Sequence, residues 1–296
     1  MVEANAPRVL GFIGGSGLYA VDGLAERREE IYDTEWGAPS GPVVFGRIGD
    51  TEVRFLPRHG AGHTRPPSDV NYRANIEAMK RAGVTDIVSI SACGSFKEEL
   101  APGTFVVVDQ FIDRAVHRPN SFFGPGCVAH VSMADPVCPA LADAATAGCA
   151  ALEIKHAKGG VYLCMEGPQF SSRAESLLYK SWGCDVIGMT NATEAKLARE
   201  AELPYATVAM VTDYDCWREH EAAVDVASVL AVMASNTANA KRLVVDLAAR
   251  LGPTRAPSPI GVETCLDYAL ITAPEARDPA MVEKLKVVAG RALSAD

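Results

Sequence analysis

Short apolar runs rich in β-branched residues alternate along this chain with segments whose apolar positions recur every three to four residues. The apolar runs predict strands at residues 8–13, 43–48, 53–57, 86–91, 105–109, 160–165, 185–188 and 205–212. Several of these runs are apolar at successive positions, which is typical of strands that are covered on both faces. The pattern therefore predicts an α/β fold, a single domain with a mixed central β-sheet flanked by α-helices.

Periodicity and capping residues predict the helices. They comprise residues 68–81 with Ser68 as the N-cap, 172–182 with a capping box from Ser172 to Glu175, 192–201, and 224–251. The last helix should stop at Gly252-Pro253. The main domain is therefore predicted to span residues 8–251, and residues 252–296 are predicted to form a linker and a helical tail.

Composition and charge limit the classes of molecule that the protein can bind. The 296 residues are 48% hydrophobic and carry a formal net charge of −9, so a nucleic acid or an anionic membrane would be repelled. No apolar run is long enough to span a membrane and the first residues lack a secretory pattern, so we expect a cytoplasmic protein. The eight cysteines form no C-x-x-C pair, which favours buried reduced thiols over a metal or redox site.

The first predicted strand leads into a glycine-rich stretch, GGSGLYA, at residues 14–20. Gly15, Gly17 and Ala20 fit a loose dinucleotide fingerprint, in which a helix N-terminus holds a pyrophosphate. Alternatively, backbone amides and the Ser16 hydroxyl can grip a single phosphate or sulfate. A tight turn without a ligand is equally compatible with the glycines. The stretch alone leaves these alternatives open.

Arg58 and His59 directly follow a predicted strand, where α/β folds place ligand-binding groups. The planar guanidinium of Arg58 suits two oxygens of a phosphate, and the imidazole of His59 can donate a further hydrogen bond. In the alternative interpretation, Arg58 pairs with one of the many carboxylates. His59 and His63 also have the spacing of a metal pair, but no acidic or cysteine ligand accompanies them.

Two further strand ends carry small hydroxyl and pocket-forming residues. Ser91 and Ala92 can offer a hydroxyl and an amide to the same crevice, and Thr190 follows another strand. Met189 beside it and Phe170, which precedes a capped helix, suit the wall of a pocket for a flat ring. Both side chains are otherwise ordinary core residues.

The pair of acidic residues that most strongly indicates catalytic chemistry is Asp213 and Asp215, which follow an apolar strand. On extended backbone, residues two apart face the same way, so both carboxylates can enter one pocket. Two such acids can bind a ring nitrogen and its exocyclic amine, and one with a raised pKa can protonate a leaving group. The alternatives are a solvated loop or a helix cap.

Together these stretches resemble the purine nucleoside phosphorylase family in its trimeric class. The stretches GGSGL, RHGAGHT, VNYRANI, ACGS, DQFIDR, EGPQFSSRAES, GMT and TDYDCWREHE occur in the family's order at compatible spacings. The resemblance implies an enzyme that cleaves the N-glycosidic bond of a purine nucleoside with inorganic phosphate, giving a free purine and a pentose 1-phosphate. It further implies a homo-oligomer, a trimer or a dimer of trimers, and no metal or organic cofactor.

The resemblance also implies a role for each candidate residue. Phosphate binding falls to Ser16, Arg58, His59, Ser91, Ala92 and Thr190. The sugar and the base would contact Met189, Phe170, Tyr214, Asp213 and Asp215, with the two aspartates as the catalytic residues. His130 of an adjoining copy would close the 5′ side of the nucleoside pocket. Substrate specificity would depend on Ser171, Val226 and Val229. Ser16 and Ser91 stand where threonine is frequent in the family, and Gln169 stands where arginine is frequent.

Asp213 discriminates between substrate classes, because a carboxylate accepts from a 6-amino group whereas a 6-oxo base presents an acceptor. We therefore expect a 6-aminopurine nucleoside, and Val226 and Val229 favour an apolar 5′ substituent. The first alternative is a 6-oxopurine nucleoside phosphorylase. The others are a dinucleotide-dependent oxidoreductase built on the glycine stretch, and a noncatalytic purine-binding protein with the same fold.

Overall fold

The computed structural model describes residues 5–15, 17–18, 20–218 and 226–294. The strands are β1 Ala6–Pro7, β2 Val9–Gly14, β3 Ala25–Glu30, β4 Val43–Ile48, β5 Thr51–Pro57, β6 Asp86–Ser95, β7 Phe105–Val107, β8 Gln110–Asp113, β9 His156–Lys158, β10 Val161–Cys164, β11 Val186–Gly188, β12 Tyr205–Asp213 and β13 Thr254–Arg255. The α-helices are α1 Tyr72–Arg81, α2 Pro139–Ala151, α3 Arg173–Ser181, α4 Asn191–Glu200, α5 Val226–Leu251 and α6 Pro279–Leu293. Short 3-10 helices lie at Pro67–Asp69, Val262–Tyr268 and Pro274–Ala276.

Eleven of these strands form one mixed sheet around β6. The order β3-β4-β5-β2-β6-β11-β10-β8 forms the main path, and β12, β7 and β9 continue from the other edge of β6. Parallel pairs such as β2 with β5 and β6 with β12 alternate with antiparallel pairs such as β4 with β5. The predicted α/β class with a mixed central sheet is confirmed.

Helices cover both faces of the sheet, as the successive apolar positions predict. On one face, Leu243 and Leu247 of α5 are fully buried against a cluster that includes Phe12 and Phe55 of the sheet. On the other face, α1, α4 and α6 contribute buried apolar residues to a second cluster, which includes Ile76 of α1. Burying apolar side chains on both faces is the main stabilising contribution to such a fold.

The predicted helices are present, with changed ends. The capping box is confirmed, because the Ser172 hydroxyl accepts from the Glu175 amide and the Glu175 carboxylate accepts from the Ser172 amide. Helix α1, however, begins at Tyr72, and Asn71 caps it by accepting from the Ala74 amide. Ser68 belongs to a separate 3-10 turn, which the prolines at 66 and 67 favour because proline fixes φ.

Several elements carry no clear pattern in the sequence. Helix α2 is rich in alanine and lacks a strong polar face, and the edge strand β3 consists mainly of exposed charged residues. Edge strands with charged side chains are common because they discourage pairing with other chains. The sheet, not the local pattern, brings β3 into place through antiparallel pairing with β4.

The C-terminal residues pack against the main body of the protein. Thr254–Arg255, within the stretch that the sequence suggests as a linker, pairs with Ala6–Pro7, and Arg255 contacts Asp86 at 3.1 Å. Helix α6 is the predicted helical tail, and its Leu285 is fully buried in the same cluster as Ile76. The boundary at residue 251 stays a prediction.

Most cysteines are buried thiols, as the sequence predicts. All eight cysteines are free thiols, and six of them are buried. Among the helices of the described residues, none is long and apolar enough to cross a membrane.

Candidate active site

The long strand β6 changes its partner along one edge. Residues 86–89 pair with β2, and Gly94 and Ser95 pair with β11, so within the described chain no strand pairs with residues 90–93 on that edge. On the opposite edge β12 pairs with β6 from Ile87 to Gly94. The interruption leaves a gap between the ends of β2 and β11, and open α/β sheets bind ligands at such switch points.

Arg58 extends from the end of β5 to this gap. Its Nη1 donates to the Ile90 carbonyl over 3.2 Å and its Nη2 donates to the Ile13 carbonyl over 3.3 Å. A third hydrogen bond, of 2.6 Å, joins Nη2 to the Ser89 hydroxyl. The guanidinium therefore bridges the diverging strands β2 and β6 at the point where their pairing stops.

The charge of Arg58 is compensated by Glu194 of α4. Nε donates to one carboxylate oxygen and Nη2 donates to the other over 3.2 Å, and both side chains are almost completely buried. Burial alone would lower the pKa of Arg58, but the Glu194 carboxylate outweighs this effect and raises it. The carboxylate alternative that the sequence left open is thus observed.

The ion pair with Glu194 limits the hydrogen bonds and the charge that Arg58 can offer to a phosphate. A guanidinium has five N–H donors, and Nη1 donates one hydrogen bond within the described chain, to Ile90. The second N–H group of Nη1 has no acceptor among the described residues. The charge of Arg58 is compensated by Glu194, so the guanidinium has little left to offer a phosphate beyond this N–H group.

His59 differs from the expectation of a donor. Its Nδ1 lies 2.9 Å from the Arg65 carbonyl, which only accepts, so Nδ1 carries the proton. Burial, and then the neighbouring charge of Arg58, lower the pKa of His59 to about 4. The ring is therefore neutral at pH 7 and its Nε2 accepts a hydrogen bond. The predicted donation is corrected to acceptance, for example from a P–OH group.

The alternative in which His59 and His63 bind a metal does not fit their geometry. The two rings stack with centroids 4.2 Å apart and planes inclined by 16°. The nitrogen lone pairs lie in the planes of the rings, so stacked rings direct them side by side and not toward one ion.

Three of the predicted phosphate-binding residues gather at the gap. Ser91 and Ala92 lie in its unpaired part on β6, which continues to Ser95 and does not end at Ser91 as the sequence suggests. Thr190 occupies the N-cap position of α4. The hydroxyls of Ser91 and Thr190 both face one acceptor, Asn191 Oδ1, at 2.7 and 3.4 Å.

Among the described residues of the glycine stretch, no helix begins. Leu18 donates to the Gly15 carbonyl over 3.0 Å in a turn, and the next element along the described chain is strand β3. A pyrophosphate of a dinucleotide would need a helix N-terminus at this place. The Arg58 amide donates to the Gly14 carbonyl over 2.9 Å, so the stretch starts beside Arg58. Ser16 lies outside the described residues.

The two aspartates form a turn and not an extended pair. Asp213 is the last residue of β12, and its Oδ1 accepts from the Asp215 amide over 2.8 Å. Asp215 has a φ of 52°, in the left-handed region. The argument from strand alternation is therefore wrong for this pair, because the backbone turns between them. A hydrogen bond within the turn keeps them adjacent instead.

Both carboxyl groups lie in surroundings that favour the protonated form. Burial raises the pKa of Asp213, although the Thr212 hydroxyl and the Asp215 amide donate to it. Burial also raises the pKa of Asp215, whose Oδ2 is buried without a hydrogen-bond partner in the described chain. A carboxyl group with a raised pKa can carry a proton for a leaving group.

The absence of a side chain at Gly94 leaves room for the Asp213 carboxyl group. A Cβ atom at Gly94 would lie 2.8 Å from Asp213 Oδ1 and 3.3 Å from the Asp215 amide nitrogen. Any larger residue at this position would displace the carboxylate.

A loop connects the aspartate turn to Met189. The Ser171 carbonyl accepts from the Cys216 thiol at 3.2 Å. At the other end of the loop, a Cβ at Gly167 would lie 2.5 Å from Met189 Sδ, so glycine permits that contact. Phe170, between these two points, is 46% exposed. The loop that carries Phe170 and Ser171 thus approaches Met189 at one end and Cys216, the neighbour of Asp215, at the other.

Tyr214 and His130 lie further out. The Tyr214 hydroxyl donates to the Glu98 carbonyl over 3.2 Å, and its ring packs under the Arg218 guanidinium. His130 is exposed and lines a cavity of about 380 Å³ together with Ser121, Phe123, Lys196 and Glu200, among others. None of the other predicted site residues lines this cavity in the described chain.

Val226 and Val229 lie at the start of α5. Val226 is its first residue and is 63% exposed, whereas Val229 is half-buried. Residues 219–225, which would join this helix to the aspartate turn, lie outside the described residues. The predicted role of both valines at the 5′ position stays a prediction.

The sequence reasoning missed the second layer of the site. Glu194 and Asn191 of α4, Ser89 of β6 and Arg118 make the contacts that hold the predicted residues. Arg118, for instance, donates to the Met189 carbonyl over 2.6 Å. A usable signal was the polar stretch TNATE after a buried strand, since polar residues of a buried helix need partners.

Comparisons with known proteins agree with one another. A family model described as the phosphorylase superfamily matches residues 9–249. Proteins named S-methyl-5'-thioadenosine phosphorylase from Bradyrhizobium diazoefficiens and Cereibacter sphaeroides are 58% and 56% identical over 285 residues, covering 96% of this chain and 98% of each relative.

Solved structures show the same likeness. The crystal structure of a methylthioadenosine phosphorylase from an antarctic soil metagenomic library has a TM-score of 0.87 at 42% identity, covering 96% of this chain and 99% of that chain. A methylthioadenosine phosphorylase from Schistosoma mansoni in complex with adenine has a TM-score of 0.79 at 35% identity, covering 86% and 95% of the two chains.

Proposed function

The chain belongs to the phosphorylase superfamily, and on that premise we propose that it cleaves S-methyl-5'-thioadenosine with inorganic phosphate, giving adenine and 5-methylthioribose 1-phosphate. The observation that carries this proposal is the identity of more than half of the residues, over nearly the full length, with proteins named for that reaction. The reaction makes the protein a pentosyltransferase that serves purine and methionine salvage.

The gap along β6 supports phosphate binding. We expect the phosphate to contact the Ser91 hydroxyl, the Thr190 hydroxyl at the start of α4, an Nη1 N–H group of Arg58 and the acceptor Nε2 of His59. Backbone N–H groups at a helix N-terminus add partial positive charge for an anion. This set would hold a phosphate oxygen in position for attack.

The aspartate turn supports departure of the purine. A phosphate oxygen bonds to C1′ as the bond between C1′ and N9 breaks. The electron pair of the broken bond stays with N9 and is delocalised over the purine ring. A proton at N7 stabilises that leaving group, and burial of Asp213 and Asp215 favours a carboxyl group that carries one. The same carboxyl groups suit the 6-amino edge of adenine.

The rest of the nucleoside would lie between these two ends. Met189, held by Arg118, would contact the sugar, and Phe170 would pack on the base. Val226 and Val229 would line the 5′ end and favour a methylthio group over a hydroxyl, because removing apolar area from water is favourable. We further propose that the reaction needs no metal or organic cofactor and that the chain works as a homotrimer or dimer of trimers.

Steady-state phosphorolysis of S-methyl-5'-thioadenosine, 5'-deoxyadenosine, adenosine and inosine tests the proposed function. We expect release of adenine that depends on phosphate, with the highest kcat/KM for a substrate with an apolar 5′ group. A preference for inosine would instead support the 6-oxopurine alternative, which includes methylthioinosine. Absence of any phosphate-dependent cleavage would instead favour the alternative of a noncatalytic purine-binding protein.

A further inference from the structure

Asn191 is a fully buried residue at the start of α4 that contacts polar groups on two sides. Its Nδ2 donates toward the hydroxyls of Ser89, Tyr205 and Thr207 at 2.8, 3.0 and 2.6 Å. On its other side, Oδ1 accepts from Ser91 over 2.7 Å. These four polar contacts on one buried amide form a hydrogen-bond network.

The chemistry of the partners fixes which way this amide points. Glu194 is an acceptor, and the hydroxyls of Ser89 and Tyr205 donate to its Oε2 over 2.7 and 3.1 Å. Having donated their protons, these hydroxyls can only accept from Asn191. The amide nitrogen must therefore face Ser89 and Tyr205, and the amide oxygen must face the gap.

The amide oxygen in turn holds two residues on the rim of the gap. The Ser91 hydroxyl lies 2.7 Å and the Thr190 hydroxyl 3.4 Å from Oδ1. A hydroxyl that has this acceptor keeps one side-chain rotamer, since leaving a buried donor unpaired is costly. Both oxygens are thereby kept in place beside Asn191.

The amide nitrogen reaches Arg58 through one intermediary. Ser89 Oγ accepts from Asn191 at 2.8 Å and from Arg58 Nη2 at 2.6 Å, and it donates to Glu194. The network therefore connects the positions of Ser91, Thr190 and Arg58 through a single amide.

We propose that Asn191 is a positioning residue for the phosphate site, holding the hydroxyls of Ser91 and Thr190 directly and the Arg58 guanidinium through Ser89. The proposal rests on the proposed function, because it takes these three residues as phosphate ligands. Asn191 itself does not act on the reacting atoms. Its loss frees the rotamers of the two hydroxyls and removes a support of the guanidinium.

The Asn191→Ala variant tests this role, because its effect on the KM for phosphate can be compared with its effect on the KM for the nucleoside. We expect the KM for phosphate to rise by about tenfold or more, because the phosphate contacts lose their preorganisation. The KM for the nucleoside should stay within about threefold of the wild-type value, since the aspartate turn is untouched. An unchanged or lower phosphate KM in a folded variant would overturn the proposal.

Asn236→Ala is the matched control. Asn236 is also a fully buried asparagine, and its Nδ2 donates to the Val211 carbonyl over 3.0 Å, outside the network of Asn191. We expect it to lower the thermal stability without changing the ratio of the two KM values. If Asn191→Ala does not fold, Ser89→Ala removes one oxygen from the same network and should raise the phosphate KM by about threefold or more. An unchanged phosphate KM in that variant would equally overturn the proposal.

Inorganic phosphate alone separates this proposal from the proposed function. A ligand that binds the folded protein raises its melting temperature, so we expect phosphate to stabilise the wild type and to stabilise Asn191→Ala less at the same concentration. If the wild type cleaves no nucleoside but shows this difference, the function fails and the positioning role stands. If the wild type is active and both proteins respond equally to phosphate, the positioning role fails.

Discussion

The buried guanidinium of Arg58 and the carboxylate of Glu194 form a two-point ion pair between residues 136 positions apart in the chain. The pair joins the end of β5 to helix α4, directly beneath the gap in the sheet. A buried pair of this kind costs desolvation on both sides, and its geometry determines what each charge can do. It links the stability of the fold to the proposed phosphate site.

Replacing Arg58 by alanine should therefore affect phosphate use and stability together. We expect a loss of about 2–4 kcal/mol in transition-state stabilisation, seen mainly as a higher KM for phosphate. The unpaired Glu194 should also reduce the unfolding free energy, by about 3–5 kcal/mol. Steady-state kinetics and urea unfolding measure the two effects separately.

A double variant, Arg58→Met with Glu194→Leu, is the control for this prediction. Replacing both members of a buried pair with apolar groups of similar size is often close to neutral for stability. We expect the double variant to regain part of the stability that Arg58→Ala loses, because no buried charge stays unpaired, although the Ser89 and Tyr205 hydroxyls lose their acceptor. It should keep the high phosphate KM. Wild-type phosphate kinetics in either variant would contradict the role of Arg58.

Asp213→Asn should shift the substrate preference from 6-amino toward 6-oxo purines. The change keeps the shape but replaces a carboxyl oxygen, which can accept from a 6-amino group, with an amide NH2 group, which donates to a 6-oxo group. An unmatched polar edge typically costs about 1–3 kcal/mol. The ratio of kcat/KM for S-methyl-5'-thioadenosine to that for inosine should fall by about ten- to a few hundred-fold. Asp215→Asn should act in the same direction, and an unmoved ratio would exclude Asp213 from the base site.

His59 should make the protein less stable as the pH falls. Its pKa is lowered to about 4 in the folded protein, against about 6.5 in an unfolded chain. Between these values the unfolded chain binds a proton that the folded protein does not, so the unfolding free energy falls as pH falls from 6.5 to 4. The limit is about 3 kcal/mol, reduced by the partial exposure of the ring.

Urea unfolding of the wild type and His59→Asn at several pH values checks this prediction. Asparagine can still donate to the Arg65 carbonyl but does not titrate. The variant should lose less stability than the wild type between pH 6.5 and 4. Parallel curves for the two proteins would show that His59 is not held neutral.

Glu200 should have the opposite pH dependence. Burial raises its pKa to about 7, although the Phe122 amide and the Ser121 hydroxyl donate to it. Between about pH 4.5 and 7 the folded protein keeps a proton that the unfolded chain has lost. The unfolding free energy therefore falls as the pH rises through this range, by at most about 3 kcal/mol.

Glu200→Gln removes this titration and should gain stability relative to the wild type between pH 5 and pH 8. The exposed Glu275→Gln is the control substitution. Denaturant unfolding at both pH values measures the difference. If the gap between wild type and Glu200→Gln is constant with pH, the carboxyl group is not held protonated.

The proposed assembly predicts that active sites are shared between copies. We expect a trimer or hexamer by sedimentation, with His130 at the nucleoside of a neighbouring copy. His130→Ala and Asp213→Asn should each reduce cleavage of S-methyl-5'-thioadenosine. After the two variants are mixed, unfolded and refolded together, activity should recover in part, because some interfaces combine an intact His130 with an intact Asp213. Recovery should be absent if both residues serve a site within one chain.

The sequence by itself determined the general architecture and the places where the site is built. Successive apolar positions predict a sheet that is buried on both faces, and the polar residues that follow the strands mark the ends at which Arg58, Thr190 and Asp213 lie. The capping box at Ser172 is also encoded locally, because its partner lies three residues away. Each of these features depends on neighbours along the chain.

Only the tertiary structure decided what those residues can do. Glu194 cancels the charge of Arg58, the Arg65 carbonyl makes His59 an acceptor, and the left-handed Asp215 turns beside Asp213 where an extended strand was expected. The change of partner along β6, which opens the gap, depends on strand register and leaves no mark in the pattern of β6 itself. Periodicity records which face of an element is apolar, whereas charge, protonation and hydrogen-bond direction are set by groups that folding brings together from distant parts of the chain.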